Sequence, residues 1–316
     1  MNFRVIFLLL TILSLTSCLA PYKNIRTQEF DELQYPFPVK YLQLDDTTRI
    51  AYVDEGSGEK TLVFVHGLGS YLPAWKKNIA GLRNQFRCIA LDLPGYGKSS
   101  KGVYPFSMSY YAEVVHRFLQ ELNLTNVIVV GHSMGGQIAM TLALLYPDEV
   151  EKLVLIAPAG LERFSEGEKK WFMQVMTVDG VRLTPVQQIR KNFYLNFYNF
   201  PADAEFMIRD RIALRGARDF EKYCYAVVKS VEGMLKEPVY DYLEEIQSPT
   251  LIIFGENDNL IPNPYLHGGR SRDIGRIGDE KIPNSTLKLI PNSGHFVHYE
   301  SAEEVNRVIE EFVGME

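Results

Sequence analysis

Short runs of apolar and β-branched residues recur along the chain, and each is about five residues long. Such runs are typical of buried parallel strands, which are covered on both faces and are therefore apolar throughout. The runs occupy residues 61–65, 87–91, 126–130, 152–156, 250–254 and 286–290, and two further short strand patterns lie between residues 39 and 54. Helical patterns at residues 137–146 and 302–313 lie among or after them. This alternation predicts an α/β fold with a doubly wound, mostly parallel sheet.

One long stretch breaks the alternation. Residues 159–247 contain no buried-strand pattern, and helical periodicity and aromatic side chains dominate them. A helical insertion between two strands predicts a lid over the sheet edge, so the core comprises residues 39–158 and 248–316. We expect most aromatic side chains of residues 159–247 to form the core of the lid and a minority to line a cavity. These side chains are Trp171, Phe172, Phe193, Tyr194, Phe197, Tyr198, Phe200, Phe206, Tyr223 and Tyr225.

The N-terminus has the order of features of a secretory signal. Arg4 is followed by an apolar run at residues 5–15, which is short for a bilayer span. The four residues LTSC then end at Cys18 and resemble the bacterial lipobox, in which the cysteine is lipidated and becomes the new N-terminus. This predicts a signal peptide of residues 1–17, a lipid on Cys18 and a tether of residues 18–38. An ordinary secretory signal with a chance cysteine, or an uncleaved anchor, remains open.

A lipid on Cys18 implies a location in the bacterial cell envelope, anchored to a membrane with the globular domain outside the cytoplasm. Leu19 after the cysteine resembles the pattern of lipoproteins that are sent on to an outer membrane.

The net charge and the cysteine content limit the kinds of ligand that the chain is expected to bind. The net charge is −6 over 316 residues, whereas a nucleic-acid partner would require a basic face. Cys88 lies in a strand pattern and is expected to be a buried small apolar residue, and Cys224 lies in a predicted lid helix. No Cys/His cluster has the spacing of metal ligands, so we expect no metal and no cofactor. A small-molecule substrate is the expected partner.

The pentapeptide GHSMG at residues 131–135 fits the pattern Gly-x-Ser-x-Gly. A serine on a sharp strand-to-helix turn is held in a strained conformation, and glycines two residues before and after remove Cβ atoms that would clash. Here a five-residue strand pattern precedes the motif and a helical pattern follows it. Ser133 is therefore the predicted nucleophile.

A nucleophilic serine requires a histidine base and an acid that orients this base. His295 lies just after the last strand pattern, where the reactive loops of a parallel sheet meet, and the preceding glycine favours a tight loop. His298 is its rival. Asp258 and Glu256 both follow the strand at residues 250–254, and Asp258 lies deeper in the loop. We predict the triad Ser133, Asp258 and His295, in the chain order expected on such a fold.

Acyl transfer also requires donors for the developing oxyanion. We expect one donor to be the backbone N–H of Met134, which follows the nucleophile. The other is expected from the loop after residue 65, at the N–H of Leu68.

Taken together, the motifs resemble those of the α/β-hydrolase superfamily. They are HGLG at residues 66–69, DLPGYGKS at 92–99, GHSMGG at 131–136, GEND at 255–258 and SGH at 293–295. More closely, the set is similar to lidded esterases and lipases, both bacterial and monoacylglycerol-type, and to the meta-cleavage C–C bond hydrolases. The resemblance implies an α/β-hydrolase fold with an inserted helical lid, and a loop-fixing role for Asp92. Dehalogenases and epoxide hydrolases of this superfamily carry aspartate in place of Ser133.

The leading expectation is hydrolysis of carboxylic esters with apolar acyl groups through an acyl-enzyme, because the lid is rich in aromatic residues and methionine. The alternatives are C–C bond hydrolysis of a meta-cleavage product, a cofactor-free haloperoxidase-like reaction and, last, a non-catalytic binding protein. Residues 266–283 form a longer and more polar link than the superfamily usually has, and are expected to shape a pocket rim or to form a surface loop.

Overall fold

A single mixed sheet organises the protein in the computed structural model, which describes residues 22–314. The eight strands of this part follow the spatial order β1-β2-β4-β3-β5-β6-β7-β8. They are β1 (Lys40–Gln43), β2 (Arg49–Glu55), β3 (Thr61–Val65), β4 (Arg87–Leu91), β5 (Val127–His132), β6 (Val150–Ile156), β7 (Thr250–Gly255) and β8 (Ser285–Ile290). Strand β2 pairs antiparallel with β1 and β4, and all the other pairs are parallel. The predicted α/β class and mostly parallel sheet are confirmed. The predicted signal peptide and Cys18 lie outside the described residues.

Helices cover both faces of this sheet. They are α1 (Lys76–Leu82), α2 (Met108–Glu121), α3 (Met134–Leu145), α4 (Glu166–Val175), α5 (Val178–Arg182), α6 (Val186–Leu195), α7 (Glu205–Ala213), α8 (Phe220–Lys236), α9 (Ser271–Lys281), α10 (Val297–Glu300) and α11 (Ala302–Gly314). Helices α4 to α8 lie in the insertion between β6 and β7, and no strand occurs there within the described chain. None of the helices in residues 22–314 is both long and apolar enough to cross a bilayer.

The carboxyl ends of the parallel strands carry the loops that matter for the site. Strand β5 is buried along its whole length and is followed directly by Ser133 and α3. The loops after β3, β7 and β8 open at the same edge, because these strands are parallel to β5 within one sheet. The predicted reactive residues therefore converge on one end of the sheet, as the carboxyl edges of parallel strands require.

Asp92, directly after β4, fixes the loop beside this edge. Its buried carboxylate accepts hydrogen bonds from the backbone N–H groups of Leu72 and Lys98, each at 2.7 Å, and from the hydroxyl of Tyr35. Buried carboxylates require such donors, since an unpaired buried charge is costly. The contacts agree with the loop-fixing role that the superfamily resemblance implies for Asp92.

The interpretation of residues 18–38 as a tether is wrong for its described C-terminal half. Phe30 and Leu33 are only 6% and 2% exposed and pack into the main apolar core. The backbone N–H of Gln28 donates to the carbonyl of Ala213 in the lid, and Tyr35 reaches Asp92. Two apolar side chains three residues apart share one side of a short 3₁₀ turn, so this segment buries them instead of remaining extended in solvent.

The expectation of a surface loop is also wrong for most of residues 266–283. Residues Ser271–Lys281 form helix α9, which packs against β7 and β8. Two adjacent parallel strands require a crossover connection, and a helix is its usual form. Its sequence is polar because the helix is amphipathic, with Ile274 packed towards the sheet.

The aromatic side chains of the lid do not all belong to its core. Phe197 and Tyr223 are buried, but Trp171, Tyr194 and Tyr198 are 38%, 41% and 47% exposed. The expectation of a lid core is therefore wrong for these three side chains. Periodicity indicates which residues share a helix face, but not whether another element covers that face.

Candidate active site

Ser133 lies on a sharp turn between β5 and α3. Its backbone has φ 54° and ψ −118°, a region that L-residues rarely adopt, at a cost on the order of 1–3 kcal/mol. A Cβ atom on Gly131 would lie 2.3 Å from the carbonyl oxygen of Gly135, and one on Gly135 would lie 2.2 Å from that of Val65. These distances show why only glycine fits at both positions. The predicted reason for the Gly-x-Ser-x-Gly spacing therefore holds in the structure.

The loop after β3 lies against the nucleophile. A Cβ atom on Gly67 would be 3.1 Å from Cβ of Ser133, so the two backbones are in close contact. The N–H groups of Leu68 and Met134 donate no hydrogen bond to other residues in the described chain. Both groups are available to a bound ligand beside Ser133, and Met134 also opens α3, whose N-terminus favours negative charge. The structure thus places the two predicted oxyanion donors on the loops next to the serine.

His295 and Asp258 form a buried pair. The Nδ1 atom of His295 lies 2.8 Å from Oδ2 of Asp258, and the side chains are 5% and 0% exposed. Because an ionised carboxylate can only accept, Nδ1 of His295 is the donor of this hydrogen bond. The other carboxylate oxygen of Asp258 accepts the backbone N–H groups of Leu260 and Ile261, which hold the acid in place.

His132, the last residue of β5 and the neighbour of Ser133 in the chain, contacts His295. The imidazole of His132 donates from Nε2 to the carbonyl oxygen of His295 at 3.0 Å, and the ring centroids are 4.8 Å apart. Ser133 keeps partial solvent exposure, whereas His295 is only 4% exposed. The rival acid Glu256 is exposed and lies in the same loop.

The rival base His298 has a different environment. It lies in α10, is fully buried, and packs 4.4 Å from the ring of Trp75 and 4.3 Å from that of His132. Neither ring nitrogen of His298 has a partner in the described chain, and Nδ1 of His132 also has none. This cluster could not be predicted from the sequence beyond the presence of three histidines, because its residues come from separate elements of the fold.

Burial keeps the two supporting histidines neutral. Loss of solvation, reinforced by the nearby His295, lowers the pKa of His298 to about 3. Burial, together with His298 and His295, holds the pKa of His132 well below its usual value.

Glu162 is a further residue of the site that sequence reasoning did not identify. Its carboxylate accepts the backbone N–H of Asn263 at 2.7 Å, in the loop that begins at Asp258, and pairs with Nδ1 of His267. Nε2 of His267 lies 3.1 Å from Glu168 at the start of α4. Burial disfavours the charged form of His267, but the two carboxylates outweigh it and raise its pKa. This cluster ties the lid to the loop of the predicted acid.

A cavity of about 400 Å³ lies beside the triad and under the lid. Leu68 and Phe296, which are neighbours of the oxyanion loop and of His295, belong to its wall, whereas Ser133 and His295 do not. The remaining wall residues come mostly from the lid and include Phe193, Met207 and Tyr223. Two of the lid aromatics therefore line the cavity, as expected of a minority of them.

Arg211 is the one charged residue in this wall within the part of the chain that the structure describes. Its Nη2 donates to the carbonyl of Val181 at 3.2 Å, and the guanidinium lies over the rings of Phe220 and Tyr223. Its Nη1 is buried and has no acceptor among the described residues. No group of three or more His, Cys, Asp or Glu side chains within residues 22–314 is arranged to hold a metal ion.

The two neutral histidines generate a prediction about acid stability. The folded chain keeps His298 neutral down to about pH 3, whereas the unfolded chain protonates it below about pH 6.5. The unfolded state then binds more protons, so stability is lost as the pH falls from 6.5 towards 3. For His298→Gln, which does not titrate, the loss in unfolding free energy between pH 6.5 and 4.5 should be smaller by about 2–3 kcal/mol.

Urea denaturation at several pH values measures this difference. His298→Phe provides a second non-titrating variant, which keeps the ring contact with Trp75. If both variants lose stability with acid as steeply as the parent chain, the neutral state of His298 is not the cause.

The comparisons with known proteins agree with this geometry. A 2-hydroxy-6-oxononadienedioate/2-hydroxy-6-oxononatrienedioate hydrolase of Burkholderia vietnamiensis is 30% identical over 280 residues, which cover 84% of this chain and 91% of that protein. A probable hydrolytic enzyme from Pseudomonas aeruginosa has a similar structure, with a TM-score of 0.81 and 25% identity over 92% of this chain and 99% of that one. An esterase from Exiguobacterium antarcticum superposes with a TM-score of 0.74 at 22% identity, over 87% of this chain and 99% of the esterase chain.

The sequence profile of one family, described as alpha/beta hydrolase fold, matches residues 60–302, which include the strands β3 to β8 and all the loops of the site. The chain is therefore a hydrolase that belongs to the α/β-hydrolase superfamily.

Proposed function

We propose that the chain is a serine hydrolase in which Ser133, His295 and Asp258 act as a catalytic triad. The observation that supports it best is the buried His295–Asp258 hydrogen bond next to a serine in a strained backbone conformation. Asp258 keeps the proton of His295 on Nδ1, which leaves Nε2 as the base.

The proposed reaction proceeds in two halves. His295 Nε2 takes the proton of the Ser133 hydroxyl while Oγ attacks the substrate carbonyl carbon. The carbonyl electrons move to oxygen, where the N–H groups of Leu68 and Met134 stabilise the negative charge. The leaving group then departs with the bonding electron pair and receives the proton from His295. Water hydrolyses the acyl-enzyme by the same steps in reverse and restores the hydroxyl of Ser133.

Substitution of the triad tests this assignment. Ser133→Ala, His295→Ala and Asp258→Asn should each lower kcat by about 10³-fold or more, since the members of a triad act as a unit. Glu256→Gln is the matched control in the same loop and should remain within about threefold of the parent enzyme, because Glu256 is exposed. Steady-state kinetics of purified variants with verified folding measure these effects. A severe loss in Glu256→Gln with an active Asp258→Asn would reassign the acid.

We further propose that the bond cleaved is a carbon–carbon bond of an acidic diketone, the alternative of the sequence analysis and not its leading expectation. The relative from Burkholderia vietnamiensis is named for hydrolysis of a dienedioate, and Arg211 is the one charged residue of the cavity wall within the described chain. A carboxylate is the natural partner of a buried guanidinium. The departing carbon in a vinylogous diketone carries its electron pair as an enolate, which the conjugated carbonyl group stabilises.

Ester hydrolysis is the second candidate, and one observation favours it. The cavity wall is otherwise apolar, with Leu68, Ile189, Phe193, Met207 and Phe296 among its residues. Such a wall fits the acyl chain of a neutral ester without using Arg211. The same triad serves both reactions, because only the leaving group differs.

Arg211→Gln separates the two candidates. Loss of a charged hydrogen bond to the substrate should lower kcat/KM for a meta-cleavage dioate by about 10–100-fold. In contrast, kcat/KM for a neutral p-nitrophenyl ester should change by less than about threefold, because this substrate has no charged group that would lose a contact with Arg211. Arg209→Gln, an exposed arginine on the same helix, is the matched control. Efficient turnover of esters with no cleavage of the dioate would support ester hydrolysis and exclude C–C bond hydrolysis.

The proposed location is the cell envelope, with a lipid on Cys18. Its support is the order of Arg4, the apolar run at residues 5–15 and the LTSC sequence. A bacterial lipoprotein carries more than one acyl chain, and two chains suffice for stable anchoring. Mass spectrometry of the mature N-terminus should show a modified Cys18, and Cys18→Ala should move the protein out of the membrane fraction. An unmodified Cys18 would exclude lipidation and leave the triad assignment untouched.

A further inference from the structure

Exposed apolar side chains concentrate on one part of the lid. Of the eleven large apolar side chains that are exposed in the described chain, six lie between residues 171 and 198. They are Trp171, Val175, Leu183, Tyr194, Leu195 and Tyr198. Scattered exposed apolar residues are normal, but six so close in sequence, on α4 and α6 and in the segments that follow α5 and α6, indicate a surface that contacts something apolar.

This apolar lid surface, defined as the exposed side chains of residues 171–198, borders the cavity beside the triad. Val175 is 50% exposed and is also part of the cavity wall, so the cavity opens next to it. Leu183 and Leu195 directly precede the wall residues Thr184 and Asn196. The surface therefore adjoins the cavity at Val175 instead of lying away from the site.

The charge of the same helices differs in sign from that of the chain. Residues 166–195 contain five Lys and Arg residues and three Asp and Glu residues, which gives +2, whereas the net charge of the whole chain is −6. Lys170 and Lys191 are exposed and form no ion pair within the part of the chain that the structure describes. Apolar and aromatic side chains beside unpaired lysines are typical of helices that lie in the interface of an anionic bilayer.

The path of the chain brings its N-terminal side to this surface. Tyr22, the first described residue, hydrogen-bonds Glu205 at the start of α7 and lies close to Arg190 and Tyr194 of α6. Cys18 is four residues before Tyr22, a separation of at most about 14 Å even for an extended chain. Any membrane attachment through the residues before Tyr22 would thus hold the apolar lid surface near the lipid.

We propose that helices α4 to α6 dock on an anionic lipid bilayer, with the apolar lid surface in the headgroup region and the entrance of the cavity towards the lipid. The docking does not depend on which bond the enzyme cleaves, and it does not require a lipid on Cys18.

The fluorescence of Trp171 can be used to test whether the lid contacts the bilayer. The chain has two tryptophans, and Trp75 is fully buried, so the difference between the parent chain and Trp171→Phe isolates the emission of Trp171. The full chain is bound to vesicles of phosphatidylethanolamine and phosphatidylglycerol, with and without brominated acyl chains. Docking predicts quenching of Trp171 by the brominated lipid and reduced quenching by acrylamide. A chain that floats with the vesicles while Trp171 remains open to acrylamide, or a chain that does not bind, would overturn the proposal.

Paired variants separate lid docking from attachment through the N-terminus. Leu183→Glu combined with Lys191→Glu removes an exposed apolar contact and reverses one charge, outside the cavity wall and the triad. It should increase the fraction of undocked Trp171 by about fivefold or more. Val103→Glu is the matched control, since Val103 is 83% exposed and lies outside the lid. Equal protection of Trp171 in both variants would contradict the proposal, and activity on a soluble substrate without vesicles should be unchanged in both.

Discussion

The close contact of three backbone segments at Ser133 is the constraint on which the site depends. The turn after β5 passes so near the loop after β3 that a side chain at Gly135 would overlap the carbonyl of Val65. The same contact holds Ser133 at a positive φ and leaves the N–H groups of Leu68 and Met134 without internal partners. The proposed nucleophile and the proposed oxyanion donors are thus held in place by the same packing contact. A substitution that widened the gap would relax the strain and separate the donors at the same time.

The base depends on a second, quite different environment. His295 has a carboxylate on one side, at Asp258, and a cluster of buried neutral rings on the other, formed by His132, His298 and Trp75. Burial keeps the two additional histidines uncharged, and they provide ring packing and a hydrogen bond from His132 to the His295 backbone. Three histidines in one cluster would be unfavourable as cations, and among them only His295 has a carboxylate partner in the described chain.

The sequence allowed prediction of the strands and of the residues at their carboxyl ends, because each depends on local pattern. The runs at residues 61–65 and 87–91 became strands with those bounds, and the run at 126–130 shifted by one residue at its start and two at its end. The packed segment around Phe30 and the crossover helix α9 were mistaken for a tether and a loop, since both depend on partners that are distant in sequence. Arg211 and Glu162 acquire their roles only through tertiary contacts, which periodicity does not encode.

Glu162 shows how the lid and the chemistry are coupled. Its carboxylate is buried, and burial raises its pKa, while hydrogen bonds from His267 and Asn263 favour the charged form. The negative charge of Asp258 adds to the rise in the pKa of Glu162, so the two carboxylates oppose one another across the same loop. A protonated His267 between Glu162 and Glu168 offsets this repulsion and also links α4 to the loop. Movement of α4 away from this loop would break the contact between Glu168 and His267 but leave the His267–Glu162 pair in place, so the attachment of α4 to the loop depends on the second carboxylate of the cluster.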